Sequence, residues 1–374
     1  MHHLSVFCYL LLTFASSLGA NQTLKSVATY KEWPTGIAVS SEGRIFTSFP
    51  RQRQVQPYTL AELVGGSSKP YPSVSIQSGS YLDASSWFVD AQSVVIDSED
   101  RLWVLDTGFP FKNGTKQSKA VYNGPKIVCI DLKVNKVVRT YVIPAGALVE
   151  KSSINDVRFN LTLGDLGYAF ISDTAEEGAI ITLDLNTGLA IRRLSNSSFT
   201  RADDKFVGSY ENVPFYVREK GKPAKSISNG ANAIALYGGS VFFSPQASTR
   251  FHSVPQEVLI DQNQTEENVR AATRLVTRTP GYSTGAESDE SGRIYYGSPE
   301  QNAINYIDAA TDEVKVLVSS PLLKWPDSFC QSRDGYLYVT SNDLPKWPKF
   351  NEGRELRKPP YHLYKIKTGS RPPM

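Results

Sequence analysis

Residues 90–108, with the sequence DAQSVVIDSEDRLWVLDTG, contain two apolar runs on either side of a polar turn segment. β-Branched and aromatic residues dominate both runs, VVI at 94–96 and LWVL at 102–105, which is typical of two antiparallel strands joined as a hairpin. Gln92 precedes the first run and Asp106 follows the second, so both residues fall at the open end of the hairpin, away from the turn. The pattern predicts that any chemistry is found at that end.

The same hairpin pattern recurs five times along the chain. The copies read PTGIAVSSEGRIFTSF (34–49), INDVRFNLTLGDLGYAFISD (154–173), GANAIALYGGSVFFSP (230–245), STGAESDESGRIYYGS (283–298) and PDSFCQSRDGYLYVTS (326–341). Hairpins spaced by roughly forty to seventy residues are typical of a propeller in which each repeat is one four-stranded blade. The sequence therefore predicts an all-β protein, a six-bladed β-propeller.

A propeller must close its ring, since an open ring exposes two strand edges. Residues 24–30 are predicted to form a strand ahead of the first hairpin, and YHLYKI at 361–366 is the last strand signal. We expect the N-terminal strand to complete the blade that contains residues 325–340 and 361–366. Residues 20–374 then form a single propeller domain.

Charge and hydropathy narrow the classes of partner. The 374 residues include 40 Lys and Arg against 37 Asp and Glu, a formal net charge of +3, and no basic run is long enough to follow a phosphate backbone. Residues 4–15 are apolar but too short to span a bilayer, and the small residues after them are typical of a signal peptide over residues 1–19. We therefore expect a secreted, extracellular monomer that binds a small-molecule ligand, with neither nucleic acid nor membrane as a partner.

Sequons and cysteines agree with secretion. Predicted loops or termini contain the five N-glycosylation acceptors: Asn21, Asn113, Asn160, Asn196 and Asn263. After removal of the signal peptide only Cys129 and Cys330 remain, and a disulfide between them would require the inner segments of two blades to touch. We expect two separate buried thiols.

Alignment of the six hairpins on their turns places polar residues at one repeated position, just before the apolar run of the innermost strand: Thr35, Gln92, Asn155, Asn232, Thr284 and Asp327. A second set follows the second strand of each hairpin: Phe49, Asp106, Asp173, Pro245, Ser298 and Ser341. Because a hairpin returns to the side from which it starts, both sets should gather at one mouth of the central channel. The predicted ligand-binding residues are Gln92, Asp106, Asn155, Asp173, Asn232, Thr284, Asp327 and Ser341.

Carboxylates gathered around one cavity raise each other's pKa unless a positive charge lies among them. A Ca²⁺ ion, an amine ligand or a neighbouring Lys or Arg would each satisfy Asp106, Asp173 and Asp327. Alternatively, Asp106 and Asp173 cap turns or accept backbone amides, which leaves Asp327 as the stronger candidate. Glu287 has the opposite parity to Thr284 and is predicted to face between blades, in an ion pair.

Aromatic residues and the small number of histidines limit the chemistry further. Predicted strand ends supply aromatic residues for the wall of a ligand site: Phe49, Phe109, Phe111 and Trp325. The mature chain has only His252 and His362, both in predicted outer strands, which removes the usual base of a Ser or Cys hydrolase. Metalloprotease, nucleophile-elbow and phosphate-loop motifs are absent from the sequence. Three possibilities remain for the site: catalysis by carboxylates, catalysis with a metal ion, or ligand binding without catalysis. No catalytic residue is assigned.

Several of these motifs together resemble the yellow and major royal jelly protein family. The amino-acid sequences of the motifs are most similar to those of its microbial branch. The resemblance is carried by DAQSVVID with RLWVLDTG, INDVRF with YAFISD, ESDESGRIYYGSPEQNAI, and WPDSF with GYLYVTSNDLP. It implies a secreted six-bladed propeller, relatives that bind small amines in the channel, and relatives credited with dopachrome conversion.

A more distant resemblance is to gluconolactonases, and it concerns a channel metal held by a Glu, two Asn and an Asp. Asn155 and Asp327 match that set, and Asn229 or Asn232 would supply the second Asn. The Glu of the first blade is missing from PTGIAV, so no metal ligands are assigned, and Ca²⁺ stays an open cofactor alternative.

The sequence as a whole predicts a secreted propeller of the yellow and royal-jelly type that binds a small aromatic or amine-bearing molecule in its central channel. The alternative is an enzyme acting on a small cyclic metabolite, either a metal-assisted lactonase or a dopachrome-type isomerase. A structural or nutritive protein is the third alternative.

Overall fold

A computed structural model describes residues 23–51, 57–113 and 115–373, and it confirms the six-bladed β-propeller. Each blade is a four-stranded antiparallel sheet, and the innermost strands surround a central channel. The predicted signal peptide and the sequon at Asn21 lie outside the described residues. No helix in the described ranges is long and apolar enough to cross a membrane.

The first three blades are formed by consecutive strands. β1 (Lys25–Tyr30) opens the chain and belongs to the last blade. Blade 1 contains β2 (Ile37–Val39), β3 (Ile45–Ser48), β4 (Leu60–Val64) and β5 (Ser67–Pro70). Blade 2 contains β6 (Ala91–Ile96), β7 (Leu102–Thr107), β10 (Pro125–Asp131) and β11 (Lys136–Val142), with a small hairpin of β8 (Phe111–Lys112) and β9 (Thr115–Lys116) inserted. Blade 3 contains β12 (Ile154–Asn160), β13 (Tyr168–Asp173), β14 (Ala179–Asp184) and β15 (Ala190–Arg193).

The remaining blades include the longer insertions. A hairpin of β16 (Ser209–Tyr210) and β17 (Val213–Pro214) precedes blade 4. Blade 4 contains β18 (Ala231–Tyr237), β19 (Ser240–Pro245), β20 (Arg250–Pro255) and β21 (Arg274–Arg278), with helices α1 (Gln256–Ile260) and α2 (Glu266–Ala272) between the last two strands. Blade 5 contains β22 (Ala286–Ser288), β23 (Arg293–Ser298), β24 (Ala303–Asp308) and β25 (Val314–Ser319). Blade 6 contains β26 (Pro326–Gln331), β27 (Tyr336–Ser341) and β28 (Tyr361–Lys367), and β1 completes it.

The predicted ring closure is confirmed by the pairing of β1 with β28. Thr29 lies opposite His362 and Tyr30 opposite Tyr361 in an antiparallel ladder. Beyond the ladder, Trp33 Nε1 donates a hydrogen bond to the carbonyl oxygen of Asn342 at 2.7 Å. The N-terminal strand therefore covers the strand edge that blade 6 would otherwise expose.

Buried apolar clusters lie between neighbouring blades around the ring. Between blades 2 and 3, Trp103 stacks on Phe159 with ring centroids 4.4 Å apart and packs beside Ile127 and Ile171. Full burial of a large apolar side chain contributes about 1.5–3 kcal/mol. The core of this protein thus lies between the blades and leaves the channel free for polar side chains.

Cys129 and Cys330 are free buried thiols, as predicted. In the insertion at residues 262–279, the helical spacing of Val269, Ala272, Leu275 and Val276 predicts a short helix whose apolar stripe packs against the core. The short helix is confirmed as α2, which ends at Ala272, but Leu275 lies in β21 with 46% of its surface exposed, so the apolar stripe is divided between a helix and an outer strand.

Candidate functional site

A β-bulge interrupts the innermost strand at the polar position that repeats from blade to blade. The register against the second strand shifts around Gln92, Asn155, Asn232 and Asp327, in blades 2, 3, 4 and 6. A bulge leaves the extra residue out of the ladder and redirects its side chain. The polar residue of each of these strands is thereby directed at the channel.

The four bulged side chains line one cavity at the mouth of the channel where the innermost strands begin. This upper cavity has a volume of about 650 Å³, a size suited to a small organic ligand. Aromatic residues in its wall are Trp33, Phe109 and Trp347, and charged residues are Lys116, Asp156, Glu176 and Lys349.

The amide side chains in the upper cavity form a hydrogen-bonded series across three blades. Gln92 Nε2 donates to Asn155 Oδ1 at 3.2 Å, and Asn155 Nδ2 donates to Asn232 Oδ1 at 2.5 Å. Only 7% of the Asn232 surface is exposed. Each amide is held by its neighbour, so the polar groups are ordered before any ligand arrives.

Asp327 supplies the carboxyl group of the blade 6 wall. Protein surrounds the group at the base of the cavity, and this desolvation raises the pKa of Asp327 to about 7, against the smaller lowering effects of the Trp325 and Asn342 side chains. The Asp156 carboxylate adds to the increase in pKa. Across the described part of the chain, no Lys, Arg or His forms an ion pair with Asp327.

Charged side chains divide the channel beneath the upper cavity. Arg158 Nη1 lies 2.8 Å from Asp156 Oδ1, and Ser93 Oγ donates to the same carboxylate oxygen at 2.6 Å. On the other side, Arg158 Nε lies 3.6 Å from Glu287 Oε2. Below this network a lower cavity of about 680 Å³ opens at the opposite mouth.

The prediction that Glu287 faces between blades is wrong, although its predicted ion pair is present. Glu287 lines the lower cavity, where burial raises its pKa and Arg158 opposes that effect. Thr284 N bonds the carbonyl oxygen of Gly297, while Gly285 N bonds that of Asp327 in the next blade. The alternation along the strand itself holds, because Gly285 lines the upper cavity and Glu287 lines the lower one. Thr284 donates to the carbonyl oxygen of Pro326 in the next blade, so the error was to place Thr284 in the channel.

Four of the predicted ligand-binding residues lie outside the wall of the upper cavity: Asp106, Asp173, Thr284 and Ser341. Asp106 is fully buried, accepts backbone amides from Val89 at 2.7 Å and Asp90 at 2.9 Å, and pairs with Lys126 at 2.8 Å. The prediction that Asp106 faces the channel is therefore wrong. The alternative prediction, that Asp106 accepts hydrogen bonds from backbone amides, agrees with its contacts.

The other three residues are engaged in the same way. Asp173 pairs with Arg192 at 2.7 Å and accepts the Ser153 amide at 2.7 Å. Thr284 donates to the carbonyl oxygen of Pro326, and Ser341 donates to that of Lys324 at 2.9 Å. Asp173 and Ser341 follow the second strand of their hairpins and connect segments of the ring, because the extra residue of each bulge lies on the innermost strand and not on theirs. Thr284, before the innermost strand of blade 5, likewise connects two blades.

The aromatic wall differs in part from the sequence expectation. Phe109 lines the upper cavity, whereas Phe49 and Trp325 are fully buried in packing and Phe111 lies in β8 outside the wall. Sequence reasoning missed Trp33 and Trp347, which precede the first hairpin and follow the last one. Neither belongs to the repeat, so the alignment carried no signal for them.

A family profile described as major royal jelly protein matches residues 89–354. The chain belongs to the major royal jelly protein family. Its matched region covers the bulged residues of blades 2, 3, 4 and 6 that line the upper cavity.

Curated members of the family are distant relatives. The yellow protein of Drosophila guanche is 26% identical over 276 residues, which cover 70% of this chain and 46% of the relative. The chain thus spans about half the length of the curated relatives it matches.

Solved structures share the fold of this family member. A luciferin-regenerating enzyme has a TM-score of 0.55 at 12% identity, covering 94% of this chain and 97% of that one. A protein described as a putative gluconolactonase has a TM-score of 0.56 at 12% identity, with 95% of each chain covered. At this identity the likeness concerns the propeller alone.

The side chains of the upper cavity do not fit a tightly held Ca²⁺ ion, which takes six to eight oxygen ligands with several carboxylates. Asn155 and Asn232 direct their amide oxygens at neighbouring amides, and Asp327 is a single carboxyl group. Blade 1 offers Thr35, whose hydroxyl donates to the carbonyl oxygen of Gln92 at 2.7 Å. Within the described ranges no three His, Cys, Asp or Glu residues are grouped as metal ligands.

Proposed function

We propose that the upper cavity binds a small aromatic molecule that carries an amine, in a protein that acts outside the cell. The observation that carries the proposal is the Asp327 carboxyl group, which has no ion pair in the described part of the chain and shares one cavity with aromatic rings and ordered amides. A cationic amine would neutralise the carboxylate, and the rings would cover the apolar part of the ligand.

The expected binding energy comes mainly from charge and stacking. A hydrogen bond between an ammonium group and a desolvated carboxylate contributes about 1.5–3 kcal/mol. The rings of Trp33 and Trp347 are held in the wall by Arg357, whose guanidinium carbon lies 4.9 Å and 5.9 Å from their centroids. Rings fixed in advance lose little entropy when a second ring stacks on them.

The amide series provides selectivity among aromatic amines. Gln92, Asn155 and Asn232 hold donors and acceptors in fixed directions at the wall opposite the carboxyl group's blade. A hydroxyl or carbonyl on the ligand ring would extend the series, whereas an apolar ring would remove water from the two ends of the series without replacing its hydrogen bonds.

Calorimetric titration tests the proposal with tyramine and with 4-ethylphenol, which keeps the ring and lacks the amine. We expect tyramine to bind the parent protein, and Asp327→Asn to weaken it about tenfold or more. Asp204→Asn, an exposed carboxylate away from the cavity, is the matched control and should leave the affinity unchanged. Equal binding of tyramine to the parent and to Asp327→Asn would contradict the assignment.

An isomerase acting on a small cyclic metabolite is the second candidate, and the pKa of Asp327 favours it. A carboxyl group with a pKa of about 7 can accept and return a proton near neutral pH. Dopachrome conversion and lactone hydrolysis, each measured with and without Ca²⁺, test this candidate on the same samples. Turnover that is lost in Asp327→Asn would favour the enzyme, and a rise in Tm with Ca²⁺ would revive the metal-dependent lactonase.

Secretion has its own test. Expressed in a eukaryotic host, the chain should reach the medium as a monomer and lose apparent mass on deglycosylation, since residues 1–19 have the pattern of a signal peptide. Retention in the cytosol with Met1 still present would contradict it.

A further inference from the structure

Trp325 lies just before β26, two residues ahead of Asp327 in the chain. Its side chain is fully buried, and its φ of 62° lies in the left-handed region, which is unfavourable for a bulky residue. The indole Nε1 is buried and forms no hydrogen bond of ordinary geometry within the described ranges. Left-handed bulky residues and unpaired buried donors are both unfavourable, and both concentrate at functional sites.

The unpaired N–H of Trp325 faces the carboxyl group of Asp327. Burial raises the pKa of Asp327, and the Trp325 side chain opposes that effect as a hydrogen-bond donor. Nε1 is the only donor that a tryptophan side chain has, so this effect fixes the direction of the N–H. Asn342 acts on Asp327 in the same way, but its Nδ2 already donates to the carbonyl oxygen of Pro34 at 2.9 Å. Trp325 is therefore the donor beside Asp327 that has no other acceptor in the described part of the chain.

Aromatic rings hold the indole in this orientation. The ring centroid of Phe215 lies 5.5 Å from that of Trp325, and the centroid of Tyr282 lies 6.0 Å from it. The backbone of Asp327 is fixed as well, because its carbonyl oxygen accepts the Gly285 amide at 2.8 Å. The insertion before blade 4 and the first residues of blade 5 thus hold the donor and the carboxyl group in place.

We propose that Trp325 is a positioning residue of the upper cavity, whose indole N–H donates to the Asp327 carboxylate when an amine is bound. The inference rests on the proposed function of this cavity and specifies how its carboxyl group is held. When one carboxylate oxygen accepts from the indole, the other is left to accept from the ammonium group of the ligand. Trp325 lies outside the cavity wall, so it acts on the ligand through Asp327.

Ionisation of Asp327 links this hydrogen bond to pH. Only the ionised carboxylate forms an ion pair with an ammonium group, and its pKa of about 7 makes tyramine bind more tightly as the pH rises towards neutrality. Loss of the indole donor would raise that pKa further, so a higher pH would be needed for the same affinity. Asp156 of β12 also acts on Asp327, and Lys116, Glu176 and Lys349 are the other charged residues of the cavity wall. These groups are common to the parent and to a variant that lacks only the indole.

Calorimetric titration with tyramine between about pH 5 and about pH 9 tests this role, because an alkyl amine stays protonated over that range. We expect the affinity of the parent protein to rise with pH and to level off above the pKa of Asp327. Trp325→Phe keeps an aromatic ring and removes the donor. It should bind tyramine about tenfold more weakly than the parent at about pH 6 and approach the parental affinity at about pH 9.

Trp103→Phe is the matched control for the loss of a buried indole. Trp103 is 2% exposed, and its Nε1 donates to Asp97 Oδ2 at 2.6 Å, outside the wall of the upper cavity. We expect its affinity for tyramine to follow the parental profile at every pH, even where its Tm is lower.

NMR of the indole N–H groups gives a second measurement, which does not require Trp325→Phe to fold. In the parent protein, one of the five tryptophan indole resonances should move with pH through the pKa of Asp327. Tyramine added below that pH should produce the same movement. Asp327→Asn should abolish both effects, since its side chain does not ionise.

Three results would overturn the role of Trp325 while tyramine binding through Asp327 still stands. They are a parental profile in Trp325→Phe, a loss of affinity that is equal at every pH, and the lack of an indole resonance that follows the ionisation of Asp327. Failure of tyramine to bind the parent at every pH overturns the proposed function, and the indole resonances alone then decide whether Trp325 donates to Asp327.

Discussion

Arg158 on β12 and Glu287 on β22 face each other across the central channel, with Nε 3.6 Å from Oε2. The side chains are only 8% and 15% exposed, and Arg158 also donates to Asp156 and to the carbonyl oxygen of Ala286. Blades 3 and 5 are thereby joined beneath the upper cavity. Asp156 lines the upper cavity, and Arg158 and Glu287 line the lower one, so this ionic network lies between the two cavities.

Removal of the shared cation should destabilise the protein strongly. Arg158→Met leaves Asp156 and Glu287 as buried carboxylates without their ion pair, and we expect the free energy of unfolding to fall by about 3–5 kcal/mol. Glu287→Gln should cost less, because Arg158 keeps Asp156 at 2.8 Å. Denaturant unfolding of both variants and of the parent measures the difference.

The double variant Arg158→Met with Glu287→Gln provides the control for this network. It removes one of the two unpaired carboxylates, so its stability should lie above that of Arg158→Met alone. Equal stability of the double and single variants would mean that Glu287 is not coupled to Arg158.

Closure of the ring should depend on β1. A chain that begins at Lys31 lacks the strand that pairs with β28, so blade 6 exposes the edge of a seven-residue strand, and we expect aggregation and a lower Tm. A chain that begins at Leu24 keeps β1 and is the matched control. If both chains stayed monomeric with equal Tm in light scattering and calorimetry, β1 would not close the ring.

Repetition made part of this molecule predictable from its sequence. The hairpin alignment found Gln92, Asn155, Asn232 and Asp327 because each bulge occurs at the same place in its blade, and side chains at equivalent positions of a ring face one channel. The closing strand was predictable for a similar reason, since an unpaired edge is unfavourable wherever it occurs.

Features outside the repeat were not predictable. Glu287 faces the channel because Thr284, the reference for its predicted orientation, faces blade 6 and donates to the carbonyl oxygen of Pro326. Asp106 resembles a channel carboxylate in sequence, but its backbone partners are set by a loop that folds back only in three dimensions. Lys349 and Trp347 reach the cavity through a non-repeating loop held by the insertion before blade 4, a contact between segments far apart in the chain.

The described sequons should differ in glycan occupancy. Asn113, Asn196 and Asn263 are exposed, whereas Asn160 is partly buried and its Nδ2 donates to Gln256 Oε1 at 2.7 Å. A glycan on Asn160 would have to replace that hydrogen bond at the rim of the lower cavity. We expect glycopeptide mass spectrometry of protein from a eukaryotic host to find the first three sites occupied and Asn160 largely empty. Full occupancy of Asn160 would contradict its placement.

Asp327 should make the free energy of unfolding decrease as the pH rises. A salt-bridged aspartate has the opposite effect, because its pKa is lowered in the folded protein. Burial raises its pKa from 3.8 in the unfolded chain to about 7 in the folded protein, so the folded state binds the proton more tightly. The resulting stability is fully present below pH 3.8 and is lost as the pH rises through 7. Asp327→Asn removes this loss, and we expect the variant to gain about 1–4 kcal/mol relative to the parent between pH 4 and pH 8.

The quantity to measure is the difference in unfolding free energy between Asp327→Asn and the parent at each pH, because the other titrating groups are common to both chains and cancel. Asp204→Asn, which changes an exposed carboxylate, should give a difference that varies little over the same range. A constant difference for Asp327→Asn would mean that the carboxyl group titrates alike in the folded and unfolded chains. Water would then reach Asp327 freely, and the upper cavity would lack the desolvated carboxyl group that the proposed function requires.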